Sequence, residues 1–289
     1  MGFIGIFLRT KLSNMEEQLF FSNGSTSLFG VLYQPLKSKN KGYLLIHPFG
    51  EEKKSSQRTL VEIAETLCKA GFFVFIFDLR GCGDSEGTFN EATVSGWVSD
   101  IEYAMSFFQN RTKLQNIGII GLRFGAYLSM IYCNKTSKNN IPLILIEPVL
   151  HPLDYLRKSL RHKLMKELCT DGKVLSRRDN LLDQLDKAIS VDFDGYELSA
   201  VFYKDMVSIN KQFDSYSFLK NIQNGYLISI SLTGKISKDA LEIINTNLQL
   251  PNKMIKMELF WDKVDEVIND ELISEVLGYC LTNTYWKWT

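Results

Sequence analysis

Histidine is scarce in this chain. Of 289 residues only three, His47, His151 and His162, carry an imidazole, and no two are spaced for paired ligation. A zinc site is therefore not expected, nor is any cofactor. The five cysteines, Cys68, Cys82, Cys133, Cys169 and Cys280, include no C-x-x-C pair and are odd in number. That pattern fits a reducing compartment, with thiols serving as small buried apolar groups, so a cytoplasmic location is expected. Charge of one sign is missing as well: 33 basic side chains balance 33 acidic ones. A nucleic-acid binder normally shows a basic excess, so that class is set aside.

Long apolar runs are also absent. Gly2 to Leu8 is apolar but covers about seven residues, against the roughly 20 needed to cross a bilayer. No basic segment precedes it, no small-residue cleavage site follows it, and Ile6 stands where a myristoylation signal needs Ser or Thr. Met15 is an alternative start. Residues 1 to 14 are set apart from the fold, with at most a weak membrane-surface contact expected of them. No internal repeat or low-complexity tract appears, and no particular protein partner is indicated.

What is present is enough apolar material, 45% of the chain, for one large core. Glu17 to Phe21 and Leu28 to Tyr33 alternate around Asn23-Gly24 and read as a hairpin. Tyr43 to Ile46 is a continuous apolar run. Ser55 to Ala70 has helical spacing and is ended by Gly71. Phe72 to Phe77 is another unbroken run, as in a strand covered on both faces. A helix from about Val94 to Phe108 follows, then strands at Ile117 and at Pro142 to Ile146. From Asp154 to about Asn221 helices without strands are expected, Leu156 to Leu168 carrying Arg157, Lys158, Arg161, Lys163 and Lys166 either as a solvated face or as a basic rim that attracts an anionic ligand, or an anionic membrane surface, to the site below. Strands at Tyr226 to Leu232 and Ile255 to Phe260 and a helix at Val264 to Leu281 complete the chain. The alternation predicts an α/β fold: a mostly parallel sheet flanked by helices, with a helical cap inserted after the sixth strand. The expected units are a core at 15–153 and 222–289 and a cap at 154–221.

The stretch that organises the rest is Ile117 to Met130, in which an apolar strand breaks at G-L-R-F-G and continues as an apolar helix. Flanking glycines let strand and helix approach closely, as in the G-x-S-x-G elbow that lifts a serine above a sheet. Here the raised residue is Arg123. A guanidinium has no lone pair with which to attack and stays protonated near neutral pH, so it acts as donor and fixed charge.

The chain resembles the α/β-hydrolase superfamily in its serine-aminopeptidase-like branch, and is most similar to the hydrolases encoded beside exosortase A systems, second type. The matching pieces are P-F-G-E-E at Pro48 to Glu52, G-C-G-D-S at Gly81 to Ser85, Trp97 with Asp100, G-L-R-F-G-A at Gly121 to Ala126, E-P-V at Glu147 to Val149, and G-Y-E-L-S at Gly195 to Ser199. The likeness runs from about residue 18 to 275. It implies a bacterial protein linked to exopolysaccharide production and to sorting of proteins to the cell surface.

That resemblance also implies a Ser-His-acid triad, and its three places are filled otherwise. Arg123 holds the nucleophile's place, Thr233, Gly234 and Lys235 the acid's, and Trp261, Asp262 and Lys263 the histidine's. Triad members act as a unit, so hydrolysis through them is not expected. Gly83-Asp84-Ser85-Glu86-Gly87 matches G-x-S-x-G literally, yet about seven loop residues separate it from the next helical pattern. Ser85 and Cys82 read as parts of a tight turn. Arg123 needs a partner, either an internal carboxylate (Glu51, Glu52 or Glu147) or the carboxylate or phosphate of a ligand. Backbone donors at Phe124 and at the Phe49-Gly50 turn would assist an anion. The expected pocket comprises Arg123 with Leu122, Phe124, His47, Phe49, Gly50, Glu52, Glu147 and Trp261. The expected occupant is a small anionic or acyl molecule, held without hydrolysis. An active hydrolase or acyltransferase using an unusual residue, such as Glu52 as base, remains the alternative.

Overall fold

The computed structural model describes residues 15–282 apart from 23, 25, 138–139, 172–177, 214–216 and 264–266, with backbone alone at 162–171, 178–180 and 217. Residues 1–14 and the side chains of His162 and Cys169 fall outside that description. Strands β1 (Glu16–Ser22) and β2 (Ser27–Tyr33) form the antiparallel hairpin, Phe20 facing Phe29. Then follow β3 (Lys41–Ile46), α1 (Glu51–Lys69), β4 (Phe73–Phe77), α2 (Val94–Thr112), β5 (Asn116–Leu122), α3 (Phe124–Lys135) and β6 (Leu143–Ile146). The chain leaves the sheet for α4 (Pro152–Asp171), α5 (Arg178–Asp186), β7 (Val191–Phe193), β8 (Tyr196–Leu198) and α6 (Ala200–Gln212). It returns for β9 (Gly225–Ile230), α7 (Lys238–Thr246), β10 (Asn252–Ile255) and α8 (Asp270–Thr282).

The main sheet has eight strands in the order β1-β2-β4-β3-β5-β6-β9-β10, antiparallel at β1-β2 and β2-β4 and parallel elsewhere. Strands β4 and β6 are apolar at every position, and β3, β5 and β9 nearly so, because both faces are covered. Leu44, Ile46, Phe75 and Ile119 pack with α2, α3 and the inserted segment, while Tyr43, Leu45, Val74 and Ile120 pack with α1 and α8. The mostly parallel α/β architecture is thus as the sequence predicts.

Three local expectations are corrected. First, α1 begins at Glu51 rather than Ser55, because Gly50 turns the chain at φ 55° and two acidic residues then sit in the first turn, where the helix dipole favours them. Second, the segment beyond β6 is not purely helical. Val191–Phe193 pairs with Tyr196–Leu198 around Asp194 and Gly195, both at positive φ, the turn that a two-residue hairpin requires. Third, β10 stops at Ile255, so Phe260 and Trp261 lie in a 3-10 turn beyond the sheet.

Close approach explains the elbow glycines. A Cβ on Gly121 would lie 2.5 Å from Ala126 Cα, and one on Gly125 would overlap the Ile46 carbonyl and come within 2.5 Å of that of His47. Neither neighbour is a flexible side chain, so the backbone itself would have to move. Gly125→Ala is accordingly expected to cost about 3 kcal/mol or more of unfolding free energy in urea denaturation. Gly195→Ala, whose Cβ meets nothing within 4 Å, costs only the strain of its φ of 87°.

Candidate functional site

Arg123 occupies the turn between β5 and α3 at φ 55°, ψ −117°, a backbone state uncommon for a side-chain-bearing residue. Its backbone N–H donates to Ile146 O at 2.9 Å, and its carbonyl accepts from Ala126 N at 3.1 Å. The side chain is fixed by a fork. Nη2 and Nε donate to the two oxygens of Glu52 at 3.1 and 3.3 Å, and Nη1 donates to the Glu147 carbonyl at 3.3 Å. Two rings enclose the guanidinium: Trp261, 4.8 Å from its carbon, and Tyr155 of α4 at 5.6 Å. Tyr155 is also hydrogen-bonded to Glu52. Trp261, one of the three residues expected in the histidine's place, thus stacks on Arg123.

The pair is electrostatically self-contained. Burial pushes the Glu52 carboxyl up from its ordinary range while Arg123 pulls it back. Burial also works against the charged guanidinium, but Glu52, with Tyr155 and Glu147, carries the Arg123 pKa above its usual value. A fork of this kind supplies two charge-assisted bonds, and neither member is tolerable there alone.

The other expected pocket residues divide. Glu147, buried at the end of β6 at φ 38°, accepts from Ile230 N at 2.8 Å, and burial raises its pKa. Phe49 does not line an open pocket. Its ring is surrounded by Phe89, Trp97 and Phe124 of the core and by Tyr155, Phe193 and Phe202 of the inserted segment, with centroids 5.1 to 6.0 Å away. Leu122 belongs to the apolar layer that also holds Ile146, Ile230 and Trp261. Gly50 serves as the helix cap. His47 is taken up by backbone: Nδ1 donates to Pro48 O at 2.7 Å and Nε2 accepts from Leu79 N at 3.2 Å. Burial, with Lys53 nearby, pushes its pKa down to about 4.

The decoys resolve as turn residues. Ser85 Oγ donates to Asp78 O at 2.5 Å and accepts from Phe29 N at 2.9 Å, leaving it no base. Burial pushes the Cys82 thiol up to about 12, so it is not a thiolate near neutral pH. In the acid's place Thr233, Gly234 and Lys235 are exposed, and the next carboxylate, Asp239, accepts from Leu150 N at 2.8 Å and from His151 N at 3.4 Å.

Beside Arg123 a polar cleft of about 120 Å³ opens between the starts of α4 and α7. Its walls include Glu147, His151, Tyr155, Lys158, Ser237, Lys238 and Asp239. Of the residues expected to form the site, Arg123 and Glu147 line this cleft, and Glu52 and Trp261 reach it only through Arg123. Lys158 belongs to the basic row expected as a rim above the site, whereas Tyr155 and Lys238 were not foreseen, since helical periodicity marks a face without saying which strand end it overhangs. Among the described residues no cluster suited to a metal ion occurs.

The sequence pattern described as serine aminopeptidase, S33, matches residues 43–209. Est1E of Butyrivibrio proteoclasticus, solved with ferulic acid bound, is similar in structure with a TM-score of 0.65 at 17% identity, covering 91% of this chain and 98% of that one. An esterase of Pyrococcus furiosus gives 0.61 at 17% identity and 94% of both chains. A highly thermostable carboxyl esterase of Bacillus coagulans in complex with glycerol gives 0.60 at 14% identity, covering 92% and 98%. At such identities the likeness is one of fold. No curated protein matches the sequence significantly.

Two measurements test this geometry. Arg123→Met leaves Glu52 buried without its cation and is expected to lower unfolding free energy by about 3 kcal/mol, whereas Arg123→Met with Glu52→Leu costs clearly less than the sum of the single changes. His47 has a folded pKa of about 4, against about 6.5 when unfolded. Its contribution to stability is therefore complete above about pH 6.5 and is lost as pH falls toward 4, on the order of 3 kcal/mol in all. In an NMR titration its ring signals should stay fixed between about pH 8 and pH 5.

Proposed function

The chain belongs to the serine aminopeptidase S33 family, and on that footing we propose that it binds a small anionic ligand without hydrolysing it. One observation carries the proposal: the elbow that would present a nucleophile presents a guanidinium forked onto Glu52 and stacked on Trp261. The Tyr155 hydroxyl is hydrogen-bonded to Glu52, but that carboxylate is already forked onto Arg123, and the protonated guanidinium has no lone pair with which to attack. What the elbow retains is donor chemistry, and open α/β sheets take ligands at these strand ends. An acyl chain is the less favoured occupant, because rings from core and insertion crowd around Phe49 where it would lie.

The motifs shared with exosortase-associated hydrolases, P-F-G-E-E and G-L-R-F-G-A among them, support a finer placement beside exopolysaccharide production. A cytoplasmic location is part of that placement. Among the described residues no helix is long and apolar enough to cross a membrane.

Exposure to a broad serine-reactive fluorophosphonate, read by intact mass with an active esterase of the same fold as control, is expected to leave this chain unmodified. A stoichiometric adduct mapped to one residue, Ser85 for instance, would overturn the proposal in favour of a hydrolase or acyltransferase with a non-standard nucleophile.

A further inference from the structure

Arginine carries five N–H donors. In Arg123, Nε–H and one Nη2–H face Glu52, and one Nη1–H faces the Glu147 carbonyl. One donor on each Nη is left without a partner among the described residues, on a side chain that lines the cleft. The fork toward Glu52 uses the Nε side of the guanidinium, so the remaining donors include the end of the group.

The charges around that cleft are unequally engaged. Asp239 is held by two backbone N–H groups, Asp154 pairs with Arg157 at 2.9 Å, and Glu147 accepts from Ile230 N. His151 pairs with Glu242 at 2.8 Å. Lys158, from α4, and Lys238, from the first turn of α7, line the same cleft and form no ion pair among the described residues. Two cations therefore flank an arginine with open donors, while each carboxylate on the wall already accepts from a donor of the protein, a backbone N–H at Asp239 and Glu147 and Arg157 at Asp154.

Resting on the reading that the elbow binds rather than cleaves, we propose that this cleft receives a small oxyanion, a carboxylate or phosphate group, on the open donors of Arg123 between Lys158 and Lys238. The cleft's 120 Å³ is close to the roughly 150 Å³ that holds a benzene ring elsewhere. The buried part of the ligand is thus a head group of about six non-hydrogen atoms or fewer, the remainder projecting past the lysines. Because Lys158 belongs to the inserted segment and Lys238 to the sheet's own helix, a bound anion also ties the one to the other.

Isothermal titration and thermal shift with inorganic phosphate and with malonate, against sodium chloride at matched ionic strength, test the site. Both lysines are exposed, so Lys158→Ala/Lys238→Ala is expected to fold, with an unchanged circular dichroism spectrum, and to weaken binding at least about tenfold. Lys54→Ala, on exposed α1 surface, is expected to leave it unchanged. Preference for phosphate supports a phosphate ester as ligand, and preference for malonate a carboxylate. Absence of binding by either probe, binding indifferent to the double variant, or equal loss in Lys54→Ala would each overturn the site. None of these outcomes depends on catalysis: a fluorophosphonate adduct removes the non-hydrolytic reading by itself, and failed anion binding removes only this site.

Discussion

A guanidinium and a carboxylate withdrawn from water tolerate each other's company and little else, and the upper side of this sheet is arranged around one such pair. Glu52 reaches Arg123 because Gly50 turns the chain sharply enough for α1 to begin one residue before it. Arg123 reaches Glu52 because Gly121 and Gly125 allow α3 to start directly beneath β5. Trp261 and Tyr155, from opposite ends of the second half of the chain, complete the enclosure. Four separate segments are thus committed to neutralising one charge. A buried ion pair is weak evidence for stability in general, because desolvation offsets much of the attraction. Its commoner contribution is geometric: it fixes which side chains meet, and here it fixes them over the strand ends where ligands of this fold bind.

The inserted segment is fastened to the core by rings rather than by charge. Phe49, at the end of β3, touches Tyr155, Phe193 and Phe202, which arrive from α4, β7 and α6. Offset and edge-on aromatic contacts of this kind each add about 0.5–1.5 kcal/mol beyond area burial, and they are not directional in the way a hydrogen bond is. Polar links accompany them: Asp205 of α6 accepts from Ser95 at the start of α2, through backbone N–H at 2.7 Å and hydroxyl at 2.8 Å, and Tyr155 and Tyr196 are hydrogen-bonded to Glu52 and Glu51. Apolar filling on one side of Arg123 and a polar cleft on the other divide the space above the elbow into a closed half and an open one.

Much of this was legible beforehand. Unbroken apolar runs such as Phe72 to Phe77 can only be strands covered twice, and glycines two residues either side of Arg123 can only be a close crossing. The need for a buried partner followed from charge alone, and Glu52 was among those named. The first turn of α1 was not legible, because the residues just after Gly50 are polar and lack hydrophobic periodicity. Their helicity depends on the glycine's positive φ and on a dipole effect that leaves no hydrophobic mark. The β7-β8 hairpin announced itself only through Asp194-Gly195, since three-residue strands are too short for alternation to register. The basic row that includes Lys158 was legible as a rim, but the roles of Tyr155 and Lys238 depend on which ends of helices converge in space, and no local pattern carries that.

The fork between Arg123 and Glu52 joins positions 71 residues apart into a single inherited character. A change at codon 123 alone strands an anion, and a change at codon 52 alone strands a cation, so each substitution is penalised until the other has occurred. A serine placed at the elbow would therefore leave Glu52 buried without its cation. The two distant positions can therefore change at little cost only together, so what is written at one turn constrains what is tolerated at another.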